Sequence, residues 1–187
     1  MVPVMSLWLP ILISTVLVFF ASSFLHMVLP WHRKDFGKLP DEDAVTEALR
    51  KSGVGRGEYM FPCPSSPATM RSPEMLEKYK RGPIGILTIL PAGAPKMGKS
   101  LAKWFLYILV AGIFVAYLAG RTLAPETEYR VVFRFASTMA FVIYAGALWQ
   151  GVVWMGRPWK TVLRSTIDAL VYSLLIAGAF GGFWPRP

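Results

Sequence analysis

A single cysteine, Cys63, in a chain of 187 residues excludes an intrachain disulfide and gives no sign of an oxidised extracellular scaffold. Histidine is almost as scarce, with His26 and His32 the whole supply. Charge is sparse as well. Charged residues make up 17% against 54% hydrophobic ones, too apolar a balance for a soluble domain of this size. From Met1 to Trp31 no side chain carries a formal charge apart from whatever His26 holds. No basic segment precedes this apolar run, and it continues past Ala21-Ser22-Ser23, so a retained membrane span is expected rather than a cleaved signal peptide.

What is present is a hydrophobic chain with a net charge of +9. Its length suits one domain. A nucleic-acid partner would need a basic face on a soluble module, whereas here the basic residues flank apolar runs, so no nucleic-acid partner is expected. The sequence predicts an all-α membrane protein of four transmembrane helices, with a partly helical loop between helices 1 and 2. Residues 4–29 are long enough to cross a bilayer with some tilt, and residues 101–120, 131–154 and 162–184 supply the other spans. Trp8, Trp31, Trp104, Trp154, Trp159 and Trp184 sit where an interfacial belt would place them. Pro125, Glu126 and Glu128 suit the first turn of the third helix. Gly156-Arg157-Pro158 is expected to end that helix and begin the next, which makes spans three and four antiparallel neighbours.

Orientation is read from the lysines and arginines. Thirteen lie between residues 31 and 103, and Arg157, Lys160 and Arg164 fall on the same side, against Arg121, Arg130, Arg134 and Arg186 on the other. The bias of sixteen to four predicts a plasma-membrane protein with the 31–100 loop in the cytoplasm and both termini outside. That loop is too short for a substantial core. Two helices are expected in it, one from Pro40 to Lys51 ended by Gly53, the other capped by Ser72 with Pro73 first and Gly82-Pro83 as its stop. Pro62 to Pro67 reads as an extended linker, and Ile84 to Leu90 as a strand or interfacial segment.

Gly93-Ala94-Pro95-Lys96-Met97-Gly98-Lys99-Ser100 fits the phosphate-loop pattern in full. A nucleotide-hydrolysing domain also needs a parallel sheet and a second acidic strand end, and the loop has room for neither. The lesser expectation is that Lys96, Lys99, Ser100 and Lys103 receive anionic lipid head groups of the cytoplasmic leaflet, or that the lysines only set topology.

Asp168 is the sharper oddity, because a carboxylate inside a membrane span is costly and by default a candidate for function. Arg164 stands one turn away, so an i,i+4 ion pair would neutralise it. Thr161, Ser165, Asp168 and Tyr172 share a stripe of the fourth span, Thr15, Ser22 and His26 one on the first, and Gln150 lies near the end of the third. A polar intramembrane cluster of Asp168, Arg164, His26, Gln150 and Tyr172 is therefore expected. His26 and His32, six residues apart, would face different directions on one helix, which argues against a haem between them. Cys63 with Met60 and Met70 lacks any metal-ligand spacing. Neither a metal, a cofactor nor a catalytic set is expected. Gly112, Ala116 and Gly120, and likewise Gly178 and Gly182, are small-residue faces for helix contact within the bundle.

The stretch His26 to Lys34, then Lys38 to Glu42, Tyr59 to Pro62, Ser72 to Met75 and Ala147 to Gln150, resembles a family of small bacterial inner-membrane proteins with no assigned activity. The resemblance covers most of the chain and implies a location in the bacterial inner membrane. Three functions fit the residues. The preferred one is a non-catalytic accessory or scaffold subunit that binds other membrane proteins or its own copies. The others are a small oligomeric transporter or channel using the cluster around Asp168, and an intramembrane enzyme acting on a lipid or quinone.

Overall fold

The computed structural model describes residues 1–185; Arg186, counted above on the sparsely basic side, lies outside the described residues. Four helices are long and apolar enough to cross a membrane: Val4–Val28, Met97–Thr122, Tyr129–Met155 and Trp159–Gly182. The protein is an all-α multi-pass membrane protein, and its described residues hold one small sheet of two strands.

Only part of the first span is regular. A short 3-10 turn, Val4–Leu7, leads into helix α1 (Trp8–Ser23), which widens into a π-helical turn over Phe24–Val28. Pro30 cannot donate a backbone hydrogen bond, and a 3-10 turn over Pro30–His32 takes the place of more helix. The next helices of the bundle are α5 (Met97–Thr122), α6 (Tyr129–Ala145), α7 (Gln150–Met155) and α8 (Trp159–Gly182). Between His32 and α5 come α2 (Glu42–Lys51), strand β1 (Gly57–Phe61), α3 (Pro67–Met70), α4 (Pro73–Arg81) and strand β2 (Gly85–Ile89).

The chain divides into two compact units, Gly37–Pro95 and the remainder. In the bundle unit, α8 packs along α6 and α1, and α5 packs along α1 and α6. Val18, Val115, Val132, Ile176 and Phe180 are fully buried between them, while Phe20, Leu106, Phe114, Val142 and Leu174 face outward as lipid-facing side chains do. Small residues let α5 approach α1. A methyl group added at Gly112 would meet Ile11 and Ser14, and one at Gly120 would collide with the Val2 carbonyl. The Val2 N–H donates to the Gly120 carbonyl at 2.8 Å, tying the start of the chain to the far end of α5.

Several expectations need correcting. On α8 the close approach falls at Gly181, against the Tyr129 ring, whereas Gly178 and Gly182 face open space. Glu128 stands at the N-cap position of α6 without a side-chain capping bond, and Pro125 and Glu126 lie in the preceding turn instead of in the helix, with Glu126 at φ 69°. Trp184 is buried and donates its indole N–H to the Ala124 carbonyl at 3.1 Å, so it belongs to the core and not to an interfacial belt. Helix α5 begins at Met97, four residues before the expected 101, so half of the phosphate-loop pattern is already helical.

In the Gly37–Pro95 unit, Asp41 caps α2 by accepting from the Ala44 N–H at 3.0 Å, and Ser72 caps α4 by accepting from the Met75 N–H at 3.2 Å. The Ser72 cap falls where the sequence places it, and Asp41, expected inside the first turn, is the cap of α2 instead. The 84–90 run forms β2 and pairs antiparallel with β1, Tyr59 opposite Leu87 and Phe61 opposite Gly85. The Phe61 ring lies over Gly85, where a side chain would collide with it.

Candidate functional site

Polar side chains inside the bundle gather where α1 gives way to its π turn. Asp168 projects from α8 and is 3% exposed. Its Oδ2 lies 2.8 Å from His32 Nε2 and 4.0 Å from His26 Nε2. The two imidazoles stack, with centroids 4.2 Å apart and planes 8° from parallel. Six residues of straight helix would point them apart; the π turn and the break at Pro30 fold His32 back over His26.

Each histidine is held from behind. His26 Nδ1 lies 3.0 Å from the Ser22 carbonyl, which can only accept, so Nδ1 carries the proton and Nε2 is left toward Asp168. His32 Nδ1 lies 2.5 Å from Asp35 Oδ2. Asp35 in turn pairs with Arg164. Burial pushes the Asp35 carboxyl up, but the His32 hydrogen bond and charge, together with Arg164, outweigh it and hold the group below its ordinary range. The result is a chain of contacts from Arg164 through Asp35 and His32 to Asp168. The His32–Asp168 contact requires a proton between nitrogen and oxygen, or a cation in its place.

The expected Arg164–Asp168 ion pair is therefore not formed. Arg164 turns to Asp35, and Asp168 takes the histidines. Gln150 is exposed and outside the cluster, because α6 stops at Ala145 and a turn separates it from α7. His26, Asp168 and Tyr172 do come together, lining one cavity of about 600 Å³. Ser100 reaches its wall, but Lys96, Lys99 and Lys103 are exposed at the start of α5 and do not line it. Cys63, Met60 and Met70 are exposed in the Gly37–Pro95 unit.

Four aromatic rings form much of the wall. Trp104 stacks on Tyr107 at 5.4 Å between centroids, and Tyr144 meets Tyr172 edge to face at 5.5 Å. The Trp104 indole N–H donates to Ser22 Oγ at 2.8 Å, which fixes the ring against α1. The Tyr144 and Tyr172 hydroxyl oxygens are buried and have no hydrogen-bond partner among the described residues. In a protein interior such an oxygen costs about 1–3 kcal/mol.

Sequence reasoning missed His32, Asp35, Trp104 and Tyr144. The available signal was Pro30, which ends the helix between the histidines and cancels the argument that they face apart. No family model matches this chain, and no curated protein or solved structure matches it significantly.

Proposed function

We propose that this is a bacterial inner-membrane protein, with its 31–100 loop in the cytoplasm and its termini outside, that binds the ring head of a quinone-class amphiphile in the cavity beside Asp168. The orientation is supported by the sixteen-to-four distribution of basic residues. Reporter fusions at Gly55 and after Pro187 test it: cytoplasmic and periplasmic signals respectively are expected, and the reverse pattern would overturn it.

The ligand reading is carried by the two unpartnered tyrosine hydroxyls in an aromatic wall shared with a buried carboxylate. A quinone carbonyl accepts from a tyrosine O–H, a quinol O–H donates to a carboxylate or an imidazole, and a flat ring packs against Trp104 and Tyr107. A phosphate head group is a poorer occupant, because Arg164 is committed to Asp35 and the cavity wall presents a carboxylate. Anionic lipid instead suits Lys96, Lys99 and Lys103 at the rim of α5. This reading gives a ligand to the accessory role expected from the sequence, and Gln150 no longer supports a transport path.

Titration of the detergent-purified protein with a short-tailed benzoquinone, monitored by tryptophan fluorescence, tests it. Quenching that depends on Trp104 is expected. Tyr144→Phe with Tyr172→Phe removes two ligand hydrogen bonds and should weaken binding roughly tenfold. Unchanged affinity in the double variant, or stoichiometric phospholipid in place of quinone, would overturn the reading.

A further inference from the structure

The stacked histidines and Asp168 carry more than a hydrogen bond. One ring nitrogen of His26, one of His32 and an Asp168 carboxylate oxygen all lie within 4.8 Å of one another. Around a tetrahedral first-row ion with metal–ligand bonds near 2.1 Å, donor atoms are about 3.4 Å apart. The distances here, 2.8 Å from His32 and 4.0 Å from His26 to the same carboxylate oxygen, straddle that spacing. Closing on an ion needs side-chain shifts of about an ångström.

The outer contacts point the same way. A metal-binding histidine generally donates its second ring N–H to a carboxylate or a backbone carbonyl, which fixes its tautomer and ring orientation. His32 does so to Asp35 and His26 to the Ser22 carbonyl, so both rings present Nε2 to the same carboxylate. Arg164 then steadies Asp35. A buried carboxylate facing two such nitrogens is relieved by a cation among them.

We propose that His26, His32 and Asp168 bind one divalent first-row transition ion of the Zn²⁺ or Fe²⁺ class, with Asp35 and Arg164 as positioning residues. Two imidazoles and one carboxylate leave coordination positions open, the arrangement of sites where an ion meets a substrate. Because His26 and Asp168 also line the cavity, the open side faces it. The argument against a haem between the two histidines rested on a straight helix that the π turn abolishes. The site deepens the cavity reading above without depending on it, since the donors are complete in the absence of an amphiphile.

The test is titration of the tag-free, chelator-treated full chain in detergent with Co²⁺, read by its visible absorption, and with Zn²⁺ in competition. One equivalent is expected, with a rise in thermal stability on binding. Asp35→Asn should keep the stoichiometry and weaken affinity by roughly 10–100-fold. His26→Phe should weaken it further. This second variant keeps an aromatic ring against His32 but removes both ring nitrogens, Nε2 and the Nδ1–H that donates to the Ser22 carbonyl, so a normal melting temperature without ion shows that it folds. Stoichiometric binding that survives His26→Phe, or no saturable binding in the parent, would overturn the proposal. The titration contains no quinone and the quinone titration no metal, so each reading fails separately.

Discussion

Asp168 and His32 should be energetically coupled, and Asp168 and Arg164 should be coupled much less. Asp168 is 4% exposed at its side chain, and its nearest partner, His32, is 11% exposed, so both are largely shielded from water. Removing one member of such a pair typically costs about 3–5 kcal/mol, because the other is left buried and uncompensated. Asp168→Asn and His32→Gln should each approach that cost. The double variant, with both partners neutral, should cost less than their sum by about 1–3 kcal/mol. Arg164 is 25% exposed and reaches Asp168 only through Asp35 and His32, so the corresponding cycle with Arg164→Gln should give a clearly smaller coupling. Reversible unfolding in mixed detergent and SDS micelles, on metal-free protein, supplies the four free energies for each cycle. A larger coupling for Arg164 than for His32 would restore the ion pair read from the sequence and refute the contact chain through Asp35.

The Asp35 carboxyl is held below its ordinary value of 3.8, so its pairing stabilises the fold above that pH and the contribution disappears as pH falls through the lowered folded value. The stability advantage of the parent over Asp35→Asn should therefore persist from neutral pH down to about pH 4 and shrink below it; a constant difference across an acid series would refute this. Gly120→Leu should cost about 1–3 kcal/mol or more, since its side chain displaces the Val2 backbone, and Gly178→Leu, facing open space, should cost far less when both are compared by unfolding. Replacing Lys96, Lys99 and Lys103 with Gln should reduce co-purifying anionic lipid by mass analysis. ATP should not bind before or after, and affinity lost on Lys99→Ala would show that the phosphate-loop pattern functions.

Length and hydrophobicity alone locate the four spans to within a few residues, because a bilayer imposes a minimum apolar length that few soluble segments meet. The loop helices α2 and α4 were equally legible, since Asp41 and Ser72 cap them through contacts local in sequence. The candidate site was only half legible. Asp168 and Tyr172 are predictable from the rule that polar groups in a span turn inward, which needs no knowledge of partners, while His26 is half exposed at the edge of the cluster. The wrong partner for Asp168 came from assuming that the nearest opposite charge in sequence is the nearest in space. Arg164 is one turn away, but Asp35 and His32 arrive from more than a hundred residues earlier, brought by a departure from regular helix that periodicity does not encode. Gln150 failed for a related reason, since the turn after Ala145 breaks the phase of the third span.

A π turn is an α-helix holding one surplus residue, so the 24–28 segment makes the cluster sensitive to chain length and not only to side-chain identity. Deleting Met27 would let the turn relax to ordinary helix and leave the chain beyond it close to its present phase. A second surplus residue inserted there would instead rotate the chain beyond the turn by about 100° relative to α1. His32 would swing away from Asp168 although every residue that contacts the carboxylate was still present. Lengthening this region therefore works as a register control: homologues with a further residue here should be expected to have lost the paired histidines as a unit, whichever of the two they retain in sequence.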